Sequence, residues 1–273
     1  MKGKGGKQRK PPQLEDADLT EKLSGKKEYE RKLAALQLTL LEIQQAFMRQ
    51  RRRGIIVLEG WDTAGKGGLV RRIGTRLDPR YLNVWPISAP NPDEQGRHYL
   101  YRFWTRLPPP GSIALFDRSW YGRVLVERVE SLALENEWRR AYHEINEFER
   151  MLTQDGVRLV KLYLHITPDE QLRRFQDRLS IPHKRWKLTL DDLRNRARWG
   201  DYEVAVNDML KLTHSSWAPW HVVPTNYKWY GRIRALKTIC KTLGRGINLE
   251  APPADPKIAA AIKATTAERP KGQ

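Results

Sequence analysis

The sequence contains a single cysteine, Cys240, in 273 residues. One cysteine excludes an intrachain disulfide, so we expect a fold held by a packed core in a reducing compartment. Acidic residues are also fewer than basic ones. The chain has 32 Asp and Glu and 50 Lys and Arg, which gives a formal net charge of +18. This excess of positive charge favours a polyanionic partner: a nucleic acid, an anionic membrane or a phosphate-rich substrate.

Long apolar runs are missing as well. No stretch approaches the roughly 18 residues that a membrane-spanning helix needs, and residues 1–13 are too polar for a secretory signal. We therefore expect a cytoplasmic protein without membrane contact. The chain is long enough for one large core, and composition divides it into a basic disordered tail at 1–27, a domain at 28–245 and a flexible C-terminal tail at 246–273.

A glycine-rich turn is the most informative feature that is present. Residues 55–58 are apolar and mostly β-branched, which predicts a buried strand. Glycines then allow a tight turn with exposed backbone N–H groups, and Lys66 adds a positive charge at the start of the next helix. The spacing fits the P-loop pattern and predicts phosphate binding, although a purely structural turn is the alternative. The candidate phosphate-binding residues of the loop are Gly60, Ala64, Gly65, Lys66, Gly67 and Gly68.

The loop departs from the usual P-loop at one position, because Gly67 stands where Ser or Thr normally binds Mg²⁺. Asp62, inside the loop, could hold the cation instead, since hard cations prefer oxygen ligands. The alternative for Asp62 is an Asx-type turn. Asp117 follows a second apolar run at 113–116, and an acid at the carboxyl end of a parallel strand points into the ligand crevice. Arg118 and Arg123 could screen phosphate charge from the same edge.

Strand-like and helix-like segments alternate along the chain. Further strands are predicted at 81–87, 157–166 and 222–223, with helices at 69–77, 137–152 and 229–243 and another through Tyr99 and Trp104. Alternation of this kind predicts an α/β fold with a parallel sheet and helices on both faces. A long helix from Tyr29, closed by arginines up to Arg53 and ended by Gly54, should pack its apolar face on the sheet or on a partner subunit.

A basic segment interrupts this alternation. Residues 173–198 are dense in Lys and Arg, are divided by Pro182 and carry Trp186, with Trp199 directly after them. The usual interpretation of such a run is a solvated helical face. Because the segment follows the strand that ends near the phosphate loop, we favour a mobile, basic helical lid over about 173–200 that excludes water from phosphates.

Taken together, these pieces resemble the polyphosphate kinase type 2 family, which comprises P-loop kinases that move phosphoryl groups between inorganic polyphosphate and nucleotides. The resemblance covers about residues 29–243, and Gly67 is the residue that the family would have there. It is carried by residues 59–68, 116–123 and 126–129, by Phe148 and Glu149, by residues 218–220, and within the lid by Arg173, Arg174, Phe175, Arg178, Pro182, Lys184, Trp186 and Lys187.

The resemblance implies a role for each matched residue. Lys66 and the loop amides would hold phosphate at the transfer point, and Asp62 and Asp117 would organise Mg²⁺, with Glu127 as a weaker ligand. Arg118, Arg178, Lys184 and Lys187 would bind the anionic chain or the transferring group. It also implies a homo-oligomer and an adenine nucleotide as substrate. The six histidines show no metal-ligand spacing and are interpreted as structural or surface residues.

The details of residues 61–62 and 119–126 look more like members that convert AMP to ADP. Conversion of ADP to ATP, or both steps in succession, is the alternative within the family. An ATP-dependent nucleotide kinase with a basic lid is a second hypothesis. A nucleic-acid-binding module is a third, suggested by the charge and by the basic residues 2–10, but no recognised nucleic-acid motif is present.

Overall fold

A computed structural model describes residues 10–267, and its centre is a parallel sheet of five strands. The sheet order is β2-β3-β1-β4-β5, and every neighbouring pair is parallel. The strands are β1 Arg53–Gly60, β2 Leu82–Pro86, β3 Ile113–Asp117, β4 Val157–His165 and β5 Trp220–Pro224. β1, β3 and β4 are nearly continuous apolar runs, as expected for strands that helices cover.

Helices surround this sheet and fill the connections between its strands. α9 and α5 pack on β4, and α2 packs on β1 and β3. The helices are α1 Lys26–Gln50, α2 Lys66–Gly74, α3 Tyr101–Trp104, α4 Val126–Val129, α5 Glu135–Gln154, α6 Pro168–Ser180, α7 Leu190–Ala197, α8 Trp199–Thr213, α9 Lys228–Leu243 and α10 Pro256–Ala267. Short 3₁₀ helices lie at Leu14–Asp16, Pro79–Tyr81, Trp120–Val124 and Pro182–Lys187. The predicted α/β class with a helix-covered parallel sheet is confirmed.

Two element predictions differ from the structure. The first helix ends at Gln50, because Arg51 adopts a left-handed conformation with φ of 52°, and Gly54 lies inside β1 instead of ending the helix. The sequence interpretation also missed α8. Its buried positions follow a helical spacing, but the helix begins on a Trp-Gly pair directly after the basic run and has no capping side chain to announce it.

The terminal segments are more ordered than their composition suggested. Leu14 is only 2% exposed, and its amide donates to Asn207 Oδ1 at 3.2 Å, so predicted disorder is wrong for residues 10–27. On the other side, Gln50 and Arg49 donate to the carbonyls of Asn248 and Glu250, and α10 follows. Farther along the N-terminal segment, the Tyr230 hydroxyl donates to Glu21 and Lys22 lies over the Tyr227 ring. Residues 1–9 and 268–273, which complete the two predicted tails, lie outside the described residues.

The apolar face of α1 is covered within the chain. Leu40, Ile43 and Phe47 are fully buried, and α1 packs against α9 and α2. The buried amide of Gln44 exchanges hydrogen bonds with the backbone of Asp78, which fixes the register of α1 on the segment after α2. This face is therefore not available to a partner subunit, and the implied homo-oligomer stays a prediction that needs another surface. Among residues 10–267 we find no helix both long and apolar enough to cross a membrane.

A fully buried ion pair lies under the carboxyl end of β3. Lys161 Nζ contacts Glu149 Oε2 at 2.7 Å, Tyr121 OH at 2.9 Å and the Thr213 carbonyl at 2.8 Å. The other oxygen of Glu149 accepts from Tyr121 OH and Trp120 Nε1. All three ammonium donors have partners, as a buried charge requires. This network fixes the Trp120–Val124 turn, and with it the end of β3.

Replacement of Lys161 by Met should destabilise the protein by about 3–5 kcal/mol, because Glu149 would remain as an uncompensated buried charge. The loss is measured as a shift of the urea unfolding midpoint followed by tryptophan fluorescence. The matched control is the double variant Lys161→Met with Glu149→Gln, which removes the charge but keeps an acceptor for Trp120 and Tyr121 and should recover most of the loss. Unchanged stability of the single variant would contradict the assignment.

Candidate active site

The loop between β1 and α2 has the geometry that its glycines predicted. Gly60 has φ of 144°, and a Cβ there would lie 2.4 Å from the carbonyl oxygen of Leu164 in β4. Gly65 has φ of 114° and caps α2, which begins at Lys66. Gly60 combines a close approach with a backbone conformation that only glycine tolerates, and the backbone conformation of Gly65 also favours glycine. The loop therefore places consecutive backbone amides and Lys66 at the N-terminus of α2, where anions are favoured.

Lys66 folds back over the loop. Its Nζ donates to the carbonyls of Gly60 at 2.6 Å and Trp61 at 3.2 Å. Burial lowers the pKa of Lys66, and the nearby Asp62 carboxylate offsets part of this effect. The ammonium is thus held at the centre of the loop by backbone carbonyls.

Asp62 and Arg118 meet at the same edge of the sheet. Arg118 Nη2 lies 3.1 Å from Asp62 Oδ1, and the second carboxylate oxygen accepts from Asn195 Nδ2 at 3.0 Å. Burial raises the pKa of Asp62, but Lys66 and Arg118 outweigh burial and hold this pKa below its usual value. Asp62 is therefore an ionised carboxylate, and its predicted Asx-type alternative is not the contact that its side chain makes.

Asp117 ends β3 opposite Leu58 of β1, so it shares the carboxyl edge of the sheet with the loop. Arg118 follows with φ of 65°, and its amide donates to the Leu58 carbonyl. Asp117 acts electrostatically on Lys66 and on Arg118, as Asp62 does. The four residues that the sequence nominated for catalysis, Asp62, Lys66, Asp117 and Arg118, thus form one charged cluster.

Glu59 belongs to this cluster and was not nominated. It is 5% exposed, it accepts from Ser119 Oγ at 2.7 Å, and burial raises its pKa. A hydrogen bond that joins the last residues of β1 to the turn after β3 holds the two acid-bearing segments together. The sequence did contain a signal for Glu59, because it is an acid in an otherwise apolar strand and a buried acid needs a partner.

The lid contacts the loop through residues that the sequence did not single out for that purpose. Trp199 stacks on Trp61 with ring centroids 3.7 Å apart, and Asn195 binds Asp62. Arg174 is buried and donates to the carbonyls of Thr63 and Asn226 at 2.8 and 3.1 Å and to that of Thr225. Arg174 also pairs with Glu170 of the same helix. Its hydrogen bond to the Thr63 carbonyl anchors the start of the lid to the loop.

The predicted phosphate-binding residues of the lid lie farther along it. Arg178 Nη1 donates to the Lys187 carbonyl at 2.8 Å, and Lys184 and Lys187 are exposed on the Pro182–Lys187 helix. Among the described residues, no hydrogen bond or ion pair joins these three side chains to the loop. Their roles stay predictions, as does the role of exposed Gly67.

Arg123 and Glu127 form a neighbouring cluster. Arg123 Nε lies 3.2 Å from Glu127 Oε2, and its guanidinium lies over the Tyr99 ring. Burial raises the pKa of Glu127, while Arg123 opposes that shift. No recorded contact within residues 10–267 joins this pair to Asp62 or Asp117, so the structure does not bring Glu127 into the carboxylate pair.

The side chains near the loop can be compared with the ligands that a metal ion requires. Within residues 10–267 there is no group of three or more His, Cys, Asp or Glu side chains that could hold a metal ion. Mg²⁺ is commonly bound through one or two carboxylates together with substrate phosphates. Asp62 and Asp117 therefore fit Mg²⁺ that arrives with a phosphate substrate better than a resident, protein-enclosed metal.

Comparison with known proteins agrees with this geometry. The family model described as polyphosphate kinase 2 (PPK2) matches residues 23–247. A polyphosphate:AMP phosphotransferase of Pseudomonas syringae pv. tomato is 46% identical over 230 residues, which cover 84% of this chain and 46% of that protein. A polyphosphate:AMP phosphotransferase of Acinetobacter johnsonii is 48% identical over 202 residues, or 74% of this chain and 42% of that protein.

A solved structure is also similar. The crystal structure of polyphosphate kinase 2 from Arthrobacter aurescens TC1 matches with a TM-score of 0.84 and 33% identity, and the match covers 96% of this chain and 98% of that chain. The present chain spans less than half the length of the two phosphotransferases that it matches.

His165 makes the stability of the loop dependent on pH. Its Nδ1 accepts from Trp61 Nε1 at 2.9 Å, and burial lowers the pKa of His165 from 6.5 to about 4. The unfolded chain takes up this proton near 6.5, so the contribution of His165 to stability is complete above 6.5 and is lost as the pH falls toward 4.

We expect the melting temperature of His165→Gln to vary less with pH across that interval than the melting temperature of the unaltered protein. Differential scanning calorimetry at a series of pH values measures the effect. His183→Gln, which alters an exposed histidine of the lid, is the matched variant for comparison. Parallel curves for the His165 variant and the unaltered protein would refute the prediction.

Proposed function

The chain belongs to the polyphosphate kinase 2 family, and from that premise we propose that it transfers a phosphoryl group between inorganic polyphosphate and an adenine nucleotide. The observation that carries the proposal is the joint placement of Asp62, Lys66, Asp117 and Arg118 around a glycine loop. Two anionic reactants need cations to approach one another, and this edge of the sheet supplies them.

AMP is the proposed acceptor, with ADP as the product. The two phosphotransferases described above are named for AMP, and residues 61–62 and 119–126 favour the same acceptor. Phosphorylation of ADP to ATP, or both steps in succession, is the alternative. Both versions use the same loop, lid and acids.

The reaction requires no strong base. An oxygen of the acceptor phosphate forms a bond to the terminal phosphorus of the donor, and the bond from that phosphorus to its bridging oxygen breaks. The electron pair of the broken bond stays on the shortened chain. The second pKa of a phosphate ester is about 6, so the attacking oxygen is already ionised at neutral pH. Positioning and charge screening then account for catalysis.

The side chains divide this work between them. Lys66 and the amides of the loop hold the transferring group, and Arg118 stabilises the charge that develops on it. Asp62 and Asp117 would hold Mg²⁺, which supplies charge neutralisation to bound phosphates. Arg178, Lys184 and Lys187 would bind the phosphate chain when the lid covers it, and the lid would keep water from competing with the acceptor.

The acceptor assay tests the proposal directly. We expect the protein, incubated with long-chain polyphosphate and Mg²⁺, to convert AMP to ADP faster than ADP to ATP, as measured by chromatography of the nucleotides. The same assay with ATP as donor and AMP as acceptor tests for an ATP-dependent kinase. Failure of polyphosphate to phosphorylate either acceptor would sink the proposal, and efficient use of ATP alone would replace it.

Lys66→Ala and Asp117→Asn should each lower kcat by about 100- to 1000-fold, the usual cost of removing one preorganised group that stabilises transition-state charge. Initial rates with saturating polyphosphate and AMP measure the effect. Lys237→Ala, which removes an exposed lysine of α9, is the matched control and should retain normal rates. Far-ultraviolet circular dichroism confirms folding. Near-normal rates in either site variant would remove that residue from the mechanism.

A further inference from the structure

A nearly buried acid outside the charged cluster joins the body of the protein to the end of the lid. Glu130 directly follows α4, and its side chain is only 11% exposed. α4 is itself well anchored, because Arg128 Nη1 donates to Asp208 of α8 and to the Tyr142 hydroxyl of α5, at 2.8 Å each. Glu130 therefore presents its carboxylate from a firmly packed part of the molecule.

Three groups of the lid and of the helix after it meet this carboxylate. Arg194 Nε of α7 lies 3.1 Å from Glu130 Oε2. Arg198 Nη1, between α7 and α8, lies 3.8 Å from the other oxygen, and the Tyr202 hydroxyl lies 3.4 Å from that same oxygen. An exposed ion pair contributes little to stability. Glu130 differs from such a pair, because it is nearly buried and gathers donors from two helices.

Tyr202 connects this carboxylate with the phosphate loop. Its hydroxyl also lies 3.3 Å from Asn195 Oδ1, and Asn195 Nδ2 donates to Asp62 Oδ2 at 3.0 Å. Because an ionised carboxylate only accepts, the amide nitrogen of Asn195 has to face Asp62, and its oxygen faces Tyr202. Burial raises the pKa of Tyr202, and Glu130 raises it further, so the hydroxyl keeps a proton that it can donate. Both ends of the Asn195 amide are thus fixed.

Asn195 is the partner of Asp62 that carries no charge. Arg118 contacts the other carboxylate oxygen, but a guanidinium is also attracted to phosphate and would share its donors with a bound substrate. A neutral amide orients the carboxylate without cancelling its negative charge. An amide on α7 can do this only while α7 keeps its position relative to the loop.

We propose that Glu130 is a positioning residue for Asp62, and that it acts through Arg194, Tyr202 and Asn195. The inference rests on the proposed function and adds to it a residue that lies outside the charged cluster. The Glu130 carboxylate holds α7 in place against α4, so that Asn195 lies on Asp62 when the phosphates arrive.

The contacts that would remain without this carboxylate do not join α7 to α4. Arg194 and Arg198 would keep their exposed partners Asp191 and Asp201, each of which lies within three residues of its arginine. Arg196 would still join α7 to the start of α6 through the Pro168 carbonyl. α7 would therefore stay helical and attached to the rest of the lid, but it could shift relative to the phosphate loop.

Glu130→Ala tests the proposal, and Asp201→Ala is its matched control, because Asp201 is an exposed acid that pairs with Arg198. We expect Glu130→Ala to lower kcat about tenfold, as the loss of a hydrogen bond to a charged group does, with KM for AMP retained. Asp201→Ala should keep normal rates. Equal kcat in the two variants would overturn the positioning role. An increase in KM for AMP with kcat retained would place Glu130 in acceptor binding and would also overturn it.

A double-mutant cycle shows whether Glu130 acts through Asn195. The combination of Glu130→Ala with Asn195→Ala should be no slower than Asn195→Ala alone, because Glu130 then has no amide left to position. Effects on kcat that multiply in the double variant would contradict this route.

Hydrogen exchange of the substrate-free protein, followed by mass spectrometry, separates this inference from the proposed function. Residues 190–197 should exchange faster in Glu130→Ala than in Asp201→Ala, since α7 opens more often without its contact to α4. That result supports the contact even if the protein transfers no phosphate. Faster exchange with unchanged kcat makes Glu130 purely structural and overturns its positioning role.

Equal exchange and equal kcat in Glu130→Ala and Asp201→Ala overturn the inference and leave the proposed function intact. If Glu130→Ala fails to fold, Tyr202→Phe takes its place in both comparisons, because it removes only the hydroxyl that lies between Glu130 and Asn195.

Discussion

The close approach of Gly60 to β4 determines the path of the phosphate loop. Because the Gly60 backbone lies against the carbonyl of Leu164, the chain can leave β1 only through a conformation that glycine adopts. That exit turns the loop carbonyls toward Lys66 and presents Asp62 at the edge where β3 ends in Asp117. The charged cluster therefore depends on an uncharged backbone contact, because that contact sets the path of the loop that carries Asp62 and Lys66.

Three acids and two cations lie at the carboxyl edge of the sheet, and the acids Glu59 and Asp62 differ in their environments and in their pKa shifts. Glu59 is buried with a raised pKa and joins two strand ends through Ser119, which is a structural role. Asp62 is kept ionised by Lys66 and Arg118. The proposed reaction between two anionic substrates would require cations near the phosphates, and one or two carboxylates would be enough to hold Mg²⁺ together with them.

Much of this arrangement was predictable from local patterns, and the remainder was not, for physical reasons. The strand before Gly60, the loop and the acid after residue 116 have short-range signatures, so the sheet and the cluster of Asp62, Lys66, Asp117 and Arg118 could be anticipated. Arg232 could not be assigned to the loop, because it lies more than 160 residues from Gly68 in the sequence and meets it only through the packing of α9. Composition also misjudged residues 10–27, since the buried side chain of Leu14 and the contact of Glu21 with Tyr230 depend on distant parts of the chain.

The lid and Asp62 of the loop are joined by direct contact. Asn195 and Arg118 occupy the two oxygens of Asp62, and Trp199 stacks on the adjacent Trp61. Movement of the lid therefore changes the hydrogen bonding of the one loop carboxylate, and a change in the partners of Asp62 alters what holds the lid. Arg174 also anchors the base of the same segment to the loop backbone, so the lid is attached to the loop both at its start and through Asn195 and Trp199.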